Sequence, residues 1–241
     1  MRRRYLCGAL VGVLAIAAAL SATAGGATPS LRYGPIHKIT NSTSTNWSGY
    51  AVTGGRYTSV SSSWVQPAAS CSGTAYSSFW VGLDGDTSNT VEQTGTDADC
   101  SGSTPVYYAW YEMYPKFPVN YNNTVKAGDH MSASVTTNGS GSFTLTISDS
   151  TQGWSRTVNA RLKSAKLASA EVIAEAPSSS GGVLPLANFG TVGFTSATVN
   201  NAVLTSSTPG LDAITMKSGT TVKAQPSSMN NGSFSVAWKH S

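Results

Sequence analysis

Short segments with the composition of β-strands recur from about residue 45 to the C-terminus, and this spacing constrains the fold more than any other feature. Val, Thr, Tyr, Trp and Phe fill these segments, while Gly, Asn, Ser and Pro separate them. No segment combines helical periodicity with capping residues. The predicted strands are 46–52, 57–65, 78–83, 90–94, 105–114, 130–137, 142–148, 154–160, 169–177, 187–194, 213–217, 221–224 and 233–238. The pattern predicts one all-β domain, a sandwich or jelly roll.

The N-terminal residues 1–24 have the pattern of a secretory signal peptide. Three arginines at positions 2–4 precede an apolar run over 6–20, and Ala-Thr-Ala at 22–24 resembles a cleavage site. Residues 25–44 lack hydrophobic periodicity and are predicted to be a short propeptide or flexible leader, which leaves 45–241 as the β-sandwich domain. No later stretch is long and apolar enough to cross a membrane. We therefore expect a secreted, extracellular protein with no membrane association after signal removal.

The charge balance gives no indication of a nucleic-acid partner. Removing the three signal arginines leaves 12 of the 15 basic residues against 11 acidic ones. The remaining Lys and Arg are scattered and form no patch. Charged residues make up 11% of the chain, against about 25% in an average domain. A surface solvated by Ser, Thr, Asn and Gly suits an extracellular protein and has few carboxylates to protonate in acid.

Two cysteines, Cys71 and Cys100, remain once Cys7 is removed with the signal. An even pair in an oxidising compartment predicts a disulfide. Two thiols without a CxxC motif or nearby histidines make a poor zinc site. HExxH, clustered histidines and EF-hand spacing are absent too, so the sequence predicts no metal and no other cofactor.

Two of the four glutamates of the chain lie in the segment SAEVIAEAP. In a strand, Glu171, Ile173 and Glu175 project from one face, and small apolar groups from the other. The β-branched residues within the segment and the proline after it favour a strand over a helix. The sequence therefore predicts a strand that carries an acidic pair.

Two further segments carry polar groups that can do chemistry. In YYAWYEMYP, a period of two aligns Tyr108, Trp110, Glu112 and Tyr114 on one face. This strand is either part of an aromatic core with one glutamate at the rim or one wall of a substrate groove. In FWVGLDGDTSNTVEQTGTD, the strands on either side of a Gly/Asp turn place Glu92 and Gln93 on opposite faces. A groove-facing Gln93 could donate its amide N–H to a carbonyl oxygen that gains negative charge.

Read together, these motifs resemble the glutamic peptidases, or eqolisins. NWSGY is similar to NWGG of that family, WVGLDGD…EQTG to WVGIDGD…LQTG, AWYEMYP to AWYEWYP, AEVIAE to AEWIVE, and ANFGTVGF to ADFGTVTF. The order and spacing of the five motifs cover roughly residues 45–195. Tyr108 stands where the fungal pattern has aspartate, and Glu92 replaces an apolar residue. Ala176-Pro177 also replaces an acidic-aromatic pair.

The resemblance implies a concanavalin-like sandwich of two antiparallel sheets and a catalytic dyad of Gln93 and Glu175. Residues that line or support the family's cleft match Trp47, Trp80, Asp84, Asp97, Trp110, Glu112 and Tyr114. The implied activity is that of a monomeric acid endopeptidase acting on protein or peptide substrates. Glu175 serves as general base to a water, and Gln93 stabilises the tetrahedral oxyanion.

Two other functions use the same residues. A retaining glycosidase would employ Glu112 and Glu175, with carboxyl groups about 5 to 5.5 Å apart. A lectin-like module would use the aromatic face without an acid or a base. The glycosidase chemistry does not explain Gln93. In the leader, the basic residues Arg32, His37 and Lys38 are predicted to pair with cleft carboxylates and keep a precursor inactive.

Overall fold

The computed structural model describes residues 42–241. The predicted signal peptide and nearly all of the predicted leader, including Arg32, His37 and Lys38, lie outside these residues. Thr43 and Ser44, the last two residues assigned to the leader, form the first strand of the fold. Within 42–241 the chain forms strands, turns and loops without a helix. No helix in that range could therefore span a bilayer.

Eighteen strands make up the fold. In chain order they are β1 Thr43–Ser44, β2 Trp47–Thr53, β3 Ser59–Val65, β4 Ser78–Leu83, β5 Val91–Ser101, β6 Thr104–Tyr114, β7 Val119–Asn120, β8 His130–Thr137, β9 Ser142–Asp149, β10 Trp154–Arg161, β11 Ser169–Glu175, β12 Ser178–Ser179, β13 Gly182–Val183, β14 Thr191–Val199, β15 Ala202–Val203, β16 Leu211–Ser218, β17 Thr221–Pro226 and β18 Phe234–Trp238.

Most strands belong to one continuous sheet that folds into two layers. The first layer has the order β10-β9-β8-β3-β14-β18-β17-β16, and the second has the order β16-β2-β11-β4-β5-β6-β7. Strand β16 belongs to both layers, because it pairs with β17 on one side and with β2 on the other. The ladders between these strands are antiparallel, except that β1 runs parallel to β16. The predicted all-β, two-layered antiparallel sandwich is confirmed.

The apolar core lies between the layers. In β9, buried Phe143, Leu145 and Ile147 alternate with half-buried polar residues, so that one face packs inward. Val81 of β4 and Val172 of β11 bring the second layer into the same cluster. The alternation of side chains therefore leaves the opposite face of the second layer for other residues.

The short strands β1, β7, β12, β13 and β15 are absent from the sequence prediction, and the bounds of several longer strands shift, most of all at β5 and β14. Strand β5 continues to Ser101, whereas the prediction ended it at Thr94. The strand predicted for 187–194 instead begins at Thr191, because Gly190 adopts a left-handed conformation with φ of 63°. The predicted disulfide is confirmed: Cys71 and Cys100 are bonded, and their Cα atoms lie 5.3 Å apart.

Candidate active site

The outer face of the second layer, turned away from the core, carries the predicted site residues other than Asp84. Its apolar centre is a second buried cluster around Trp47, Trp80 and Trp110. We call this side of β2, β11, β4, β5 and β6 the tryptophan face. It also carries Glu175 and Gln93, because both occupy positions in phase with these tryptophans.

Strand register arranges this face in rows that cross the sheet. One row contains Glu171, Gly82, Gln93 and Glu112 on β11, β4, β5 and β6. The next row contains Ile173, Trp80, Gly95 and Trp110 on the same strands.

A third row contains Trp47, Glu175, Ser78, Asp97 and Tyr108. Gln93 and Glu175 thus lie two strands apart and in different rows. The Trp80 row runs between them.

Two donors hold the Glu175 carboxylate. The Asn46 Nδ2 donates to Oε1 at 3.0 Å, and the Trp80 indole Nε1 donates to Oε2 at 2.8 Å. Each bond stabilises negative charge on the carboxylate. A carboxylate oxygen accepts more than one hydrogen bond, so this arrangement also suits the binding of a water.

Asn46 is a site residue that the sequence reasoning did not single out. Its side chain is set by Ser44, whose Oγ accepts the N–H groups of Asn46 and Trp47 at 3.3 and 3.1 Å. The Ser44 hydroxyl also donates to Asn46 Oδ1 at 3.1 Å. The signal for Asn46 was its place at the start of NWSGY, but a motif does not show that its amide reaches Glu175.

Trp80 forms the floor between the two dyad candidates. Its indole N–H points to Glu175, and the far edge of its ring lies over Gly82. A Cβ added at Gly82 would come within 2.9 Å of Trp80 Cζ3 and 3.1 Å of Gln93 Cβ. Trp47 packs edge-on against Trp80, with ring centroids 5.0 Å apart. The absence of a side chain at Gly82 therefore permits one indole to reach from the Glu175 row to the Gln93 row.

Glu112 orients Gln93. The Gln93 Nε2 donates to Glu112 Oε2 at 2.8 Å, and the two residues are opposite each other on β5 and β6. A primary amide carries two N–H groups, and this bond uses one. It also fixes which end of the amide is the donor.

Asp97 holds the third tryptophan of the face. Its Oδ1 accepts the Trp110 indole N–H at 2.5 Å, and its Oδ2 accepts the Tyr108 hydroxyl at 2.8 Å. The same hydroxyl lies 2.7 Å from Asp99 Oδ2. Asp97 therefore supports the face through Trp110.

Asp84 supports the site from outside the face. Its carboxylate accepts the backbone N–H groups of Lys166, Leu167 and Ala168, each at 2.8 Å. Asp84 has a φ of 68°, which places the carboxylate under the segment that leads into β11. This contact fixes the start of the strand that ends at Glu175.

The remaining predicted positions lie around these groups. Tyr114 packs half-buried against the cluster at the end of β6. Glu171, the other glutamate of the predicted acidic pair, is fully buried. Burial raises the pKa of Glu171 well above its usual value, and Asp86, Asp84 and Glu92 add to the shift.

Glu92, adjacent to Gln93, faces the sandwich core instead. It lies opposite Leu83 and Met113, and burial raises its pKa to about 8. Residues 42–241 hold no group of three or more His, Cys, Asp or Glu side chains that could bind a metal ion.

Comparisons with known proteins identify relatives of this chain. Residues 45–238 match the model of the Peptidase A4 family. Aspergillopepsin-2 from Aspergillus niger is 29% identical over 179 residues, which are 64% of each chain. Scytalidopepsin B from Scytalidium lignicola is 36% identical over 110 residues, which are 45% of this chain and 41% of that protein. The matched segments thus span less than two thirds of these curated relatives.

A crystal structure of scytalido-glutamic peptidase with a peptide-based transition-state analogue is similar in fold. Its TM-score is 0.70 at 26% identity, and the match covers 81% of this chain and 98% of that one.

Proposed function

This chain belongs to the Peptidase A4 family, and from that premise we propose that it is a secreted endopeptidase that hydrolyses peptide bonds in acid with a glutamate and glutamine dyad. The main support is the position of the Glu175 carboxylate. Asn46 and Trp80 hold it on the same face as Gln93. A relative of the same fold binds a peptide-based transition-state analogue, which agrees with peptide substrates.

In the proposed reaction, ionised Glu175 takes a proton from a water as the water oxygen bonds to the scissile carbonyl carbon. The carbonyl oxygen becomes an oxyanion, and the Gln93 N–H donates to it. The carbon–nitrogen bond then breaks, and Glu175 returns the proton to the leaving amine. A carboxylate with an ordinary pKa near 4 remains a base in acid, where histidine is already protonated. The proposal requires one water or tetrahedral centre to span the Trp80 floor between the two side chains.

The glycosidase alternative is less well supported. Glu112 lies one strand farther from Glu175 than Gln93 does, and it already accepts the Gln93 amide. A carboxyl pair separated by two intervening strands, β4 and β5, does not match the close pair of a retaining glycosidase. The lectin alternative leaves the two donors on Glu175 without a role.

Secretion and activation belong to the same proposal. The Cys71–Cys100 disulfide fits an oxidising compartment, as does the signal-like start of the chain. Glu175 and Gln93 are buried in the full-length chain, so substrate must gain access to the tryptophan face. We propose that removal in acid of the leader upstream of β1 gives this access, while Thr43 and Ser44 stay with the domain because Ser44 positions Asn46. N-terminal sequencing of the secreted protein tests this step, and an unprocessed but fully active chain would rule it out.

Four variants test the dyad against denatured protein at acid pH and against plant polysaccharides. Glu175→Gln should lower kcat by roughly 10²- to 10⁴-fold, and Gln93→Ala by roughly 10²- to 10³-fold. Glu112→Gln should weaken proteolysis less, because it affects only the orientation of Gln93. Glu171→Gln, on the same strand face as Glu175, is the matched control and should remain active. The proposal fails if the wild type digests no protein at any acid pH, or if Glu175→Gln keeps full proteolysis.

A further inference from the structure

The hydroxyl of Tyr108 lies between two buried carboxyl groups. It is 2.8 Å from Asp97 Oδ2 and 2.7 Å from Asp99 Oδ2. Asp97 and Asp99 alternate along β5, and Asp97 is paired with Tyr108 on β6. Because Tyr108 stands where the fungal motif has aspartate, this bridge does not follow from the family resemblance.

The two contacts of the Tyr108 hydroxyl require more protons than the hydroxyl itself carries. A tyrosine hydroxyl has one proton, so it can donate to only one of the two carboxylates. The second short contact is a hydrogen bond only if that carboxyl donates a proton of its own to the tyrosine oxygen. With both carboxyls ionised, one contact becomes a repulsion between oxygen lone pairs in a buried site. The geometry therefore fits three side chains that share one extra proton.

The surroundings favour retention of that proton in acid and its loss near neutrality. Burial raises the pKa of Asp99 to about 7, although bonds from Tyr108 and the Ser77 N–H lower it in part. Within residues 42–241, Tyr76 and Glu175 are further titratable groups near the bridge. Burial and the Asp99 charge raise the pKa of Tyr76. Glu175 lies in the row of Asp97, on the far side of Ser78.

The bridge is linked to the proposed active site through Asp97. The second oxygen of Asp97 accepts the Trp110 indole N–H. Trp110 belongs to the buried cluster that also contains Trp80, and Trp80 donates to Glu175. An Asp97 carboxylate that loses the Tyr108 hydrogen bond holds this indole less firmly.

We propose that Asp99 and Tyr108 are positioning residues. In acid they share one proton with Asp97, and this bridge holds Trp110 in place. Loss of the proton at higher pH sets the upper pH limit of catalysis. The proposal rests on the proposed peptidase function for its effect on catalysis. The bridge itself can be tested without activity. Asp99 and Tyr108 touch neither the water nor the scissile bond in this scheme.

Asp99→Asn is the decisive variant. Its amide can donate an N–H to the Tyr108 oxygen, while the Tyr108 hydroxyl donates to Asp97, so the bridge persists without a titrating proton. The kcat in acid should stay within about twofold of wild type, and the alkaline limb of its pH profile should move up by about one unit or more. In wild type, the near-UV circular dichroism of the tryptophans should change near neutral pH. In Asp99→Asn this pH-dependent change should be absent.

Tyr108→Phe and Tyr107→Phe complete the test. Tyr108→Phe removes the bridge, so its near-UV signal in acid should already resemble that of wild type above neutrality. Tyr107 lies on the opposite face of β6, where its hydroxyl accepts the Ala69 N–H at 3.2 Å, and Tyr107→Phe should behave as wild type.

The proposal is overturned if Asp99→Asn and Tyr108→Phe both keep the wild-type spectral transition, or if Tyr107→Phe alters it as strongly. Absence of proteolysis in every protein would refute the peptidase proposal instead, while the spectra would still decide the bridge.

Discussion

Replacing Glu92 by leucine should flatten the dependence of stability on pH. The Glu92 carboxyl faces the core and is fully buried. Burial raises its pKa from 4.5 to about 8; the charge of Asp84 adds to the rise, and a hydrogen bond with Thr90 lowers the pKa in part. A buried carboxyl destabilises the folded state little while it is protonated and neutral, and much more once it is ionised.

The sign of the effect follows from proton linkage. The folded state binds the Glu92 proton more tightly than the unfolded state does, so the stabilisation is complete below the unfolded pKa. It is lost as pH rises toward the folded value, at about 1.4 kcal/mol per pH unit. Between the two pKa values this amounts to about 5 kcal/mol at most, comparable to the whole stability of a small domain. Glu171 and Asp99 have raised pKa values too and act in the same direction.

Urea unfolding at a series of pH values from about 4 to 8 measures this contribution. The free energy of unfolding of the wild type should fall steeply over that range. The free energy of unfolding of Glu92→Leu should fall less over the same range. The difference from wild type should be on the order of the free energy that ionisation of Glu92 costs the folded state. Glu92→Gln separates charge from polarity, because it keeps a polar side chain of the same shape but cannot ionise. Equal pH slopes for wild type and both variants would refute the assignment of a neutral carboxyl to Glu92.

Three further predictions concern the supports of the site. Gly82→Ala should displace the Trp80 ring, destabilise the protein by about 1 to 3 kcal/mol and lower kcat more than it changes KM; unchanged kinetics would contradict the role of Trp80 as the floor. Asp84→Ala leaves three backbone N–H groups without their acceptor and should cost about 3 kcal/mol or more in urea unfolding, whereas a loss below 1 kcal/mol would show that other groups replace it. Removing the disulfide with Cys71→Ser and Cys100→Ser should cost on the order of 3 to 4 kcal/mol, and a double variant as stable as wild type would contradict this.

The faces of individual strands could be predicted from the sequence, because alternation is a local property. The period of two placed Trp110 with Glu112 and Glu171 with Glu175, as the structure has them. The register between strands could not be predicted in this way. That Gln93 lies opposite Glu112 and Gly82 depends on the order of β4, β5 and β6 in the sheet. The family resemblance supplied the pairing of Gln93 with Glu175, but not the indole between them.

Other features depend on contacts between distant parts of the chain. The Asn46–Glu175 bond joins residues 129 positions apart, so no local pattern shows it. Strand β5 continues through Gly95, Asp97 and Asp99, residue types that are depleted in strands. The strand persists because Tyr108, Trp110 and the Ser77 N–H bind the two carboxylates.

A crystal structure of the processed protein in acid, with a tetrahedral transition-state analogue bound, tests the proposed dyad most directly. We predict one analogue oxygen within about 2.6 to 3.2 Å of a Glu175 carboxyl oxygen, and the other within the same range of the Gln93 amide nitrogen, with the analogue lying over the Trp80 indole. The proposed dyad is contradicted if the analogue binds away from the tryptophan face, or if it contacts Glu175 while Gln93 stays beyond hydrogen-bond reach.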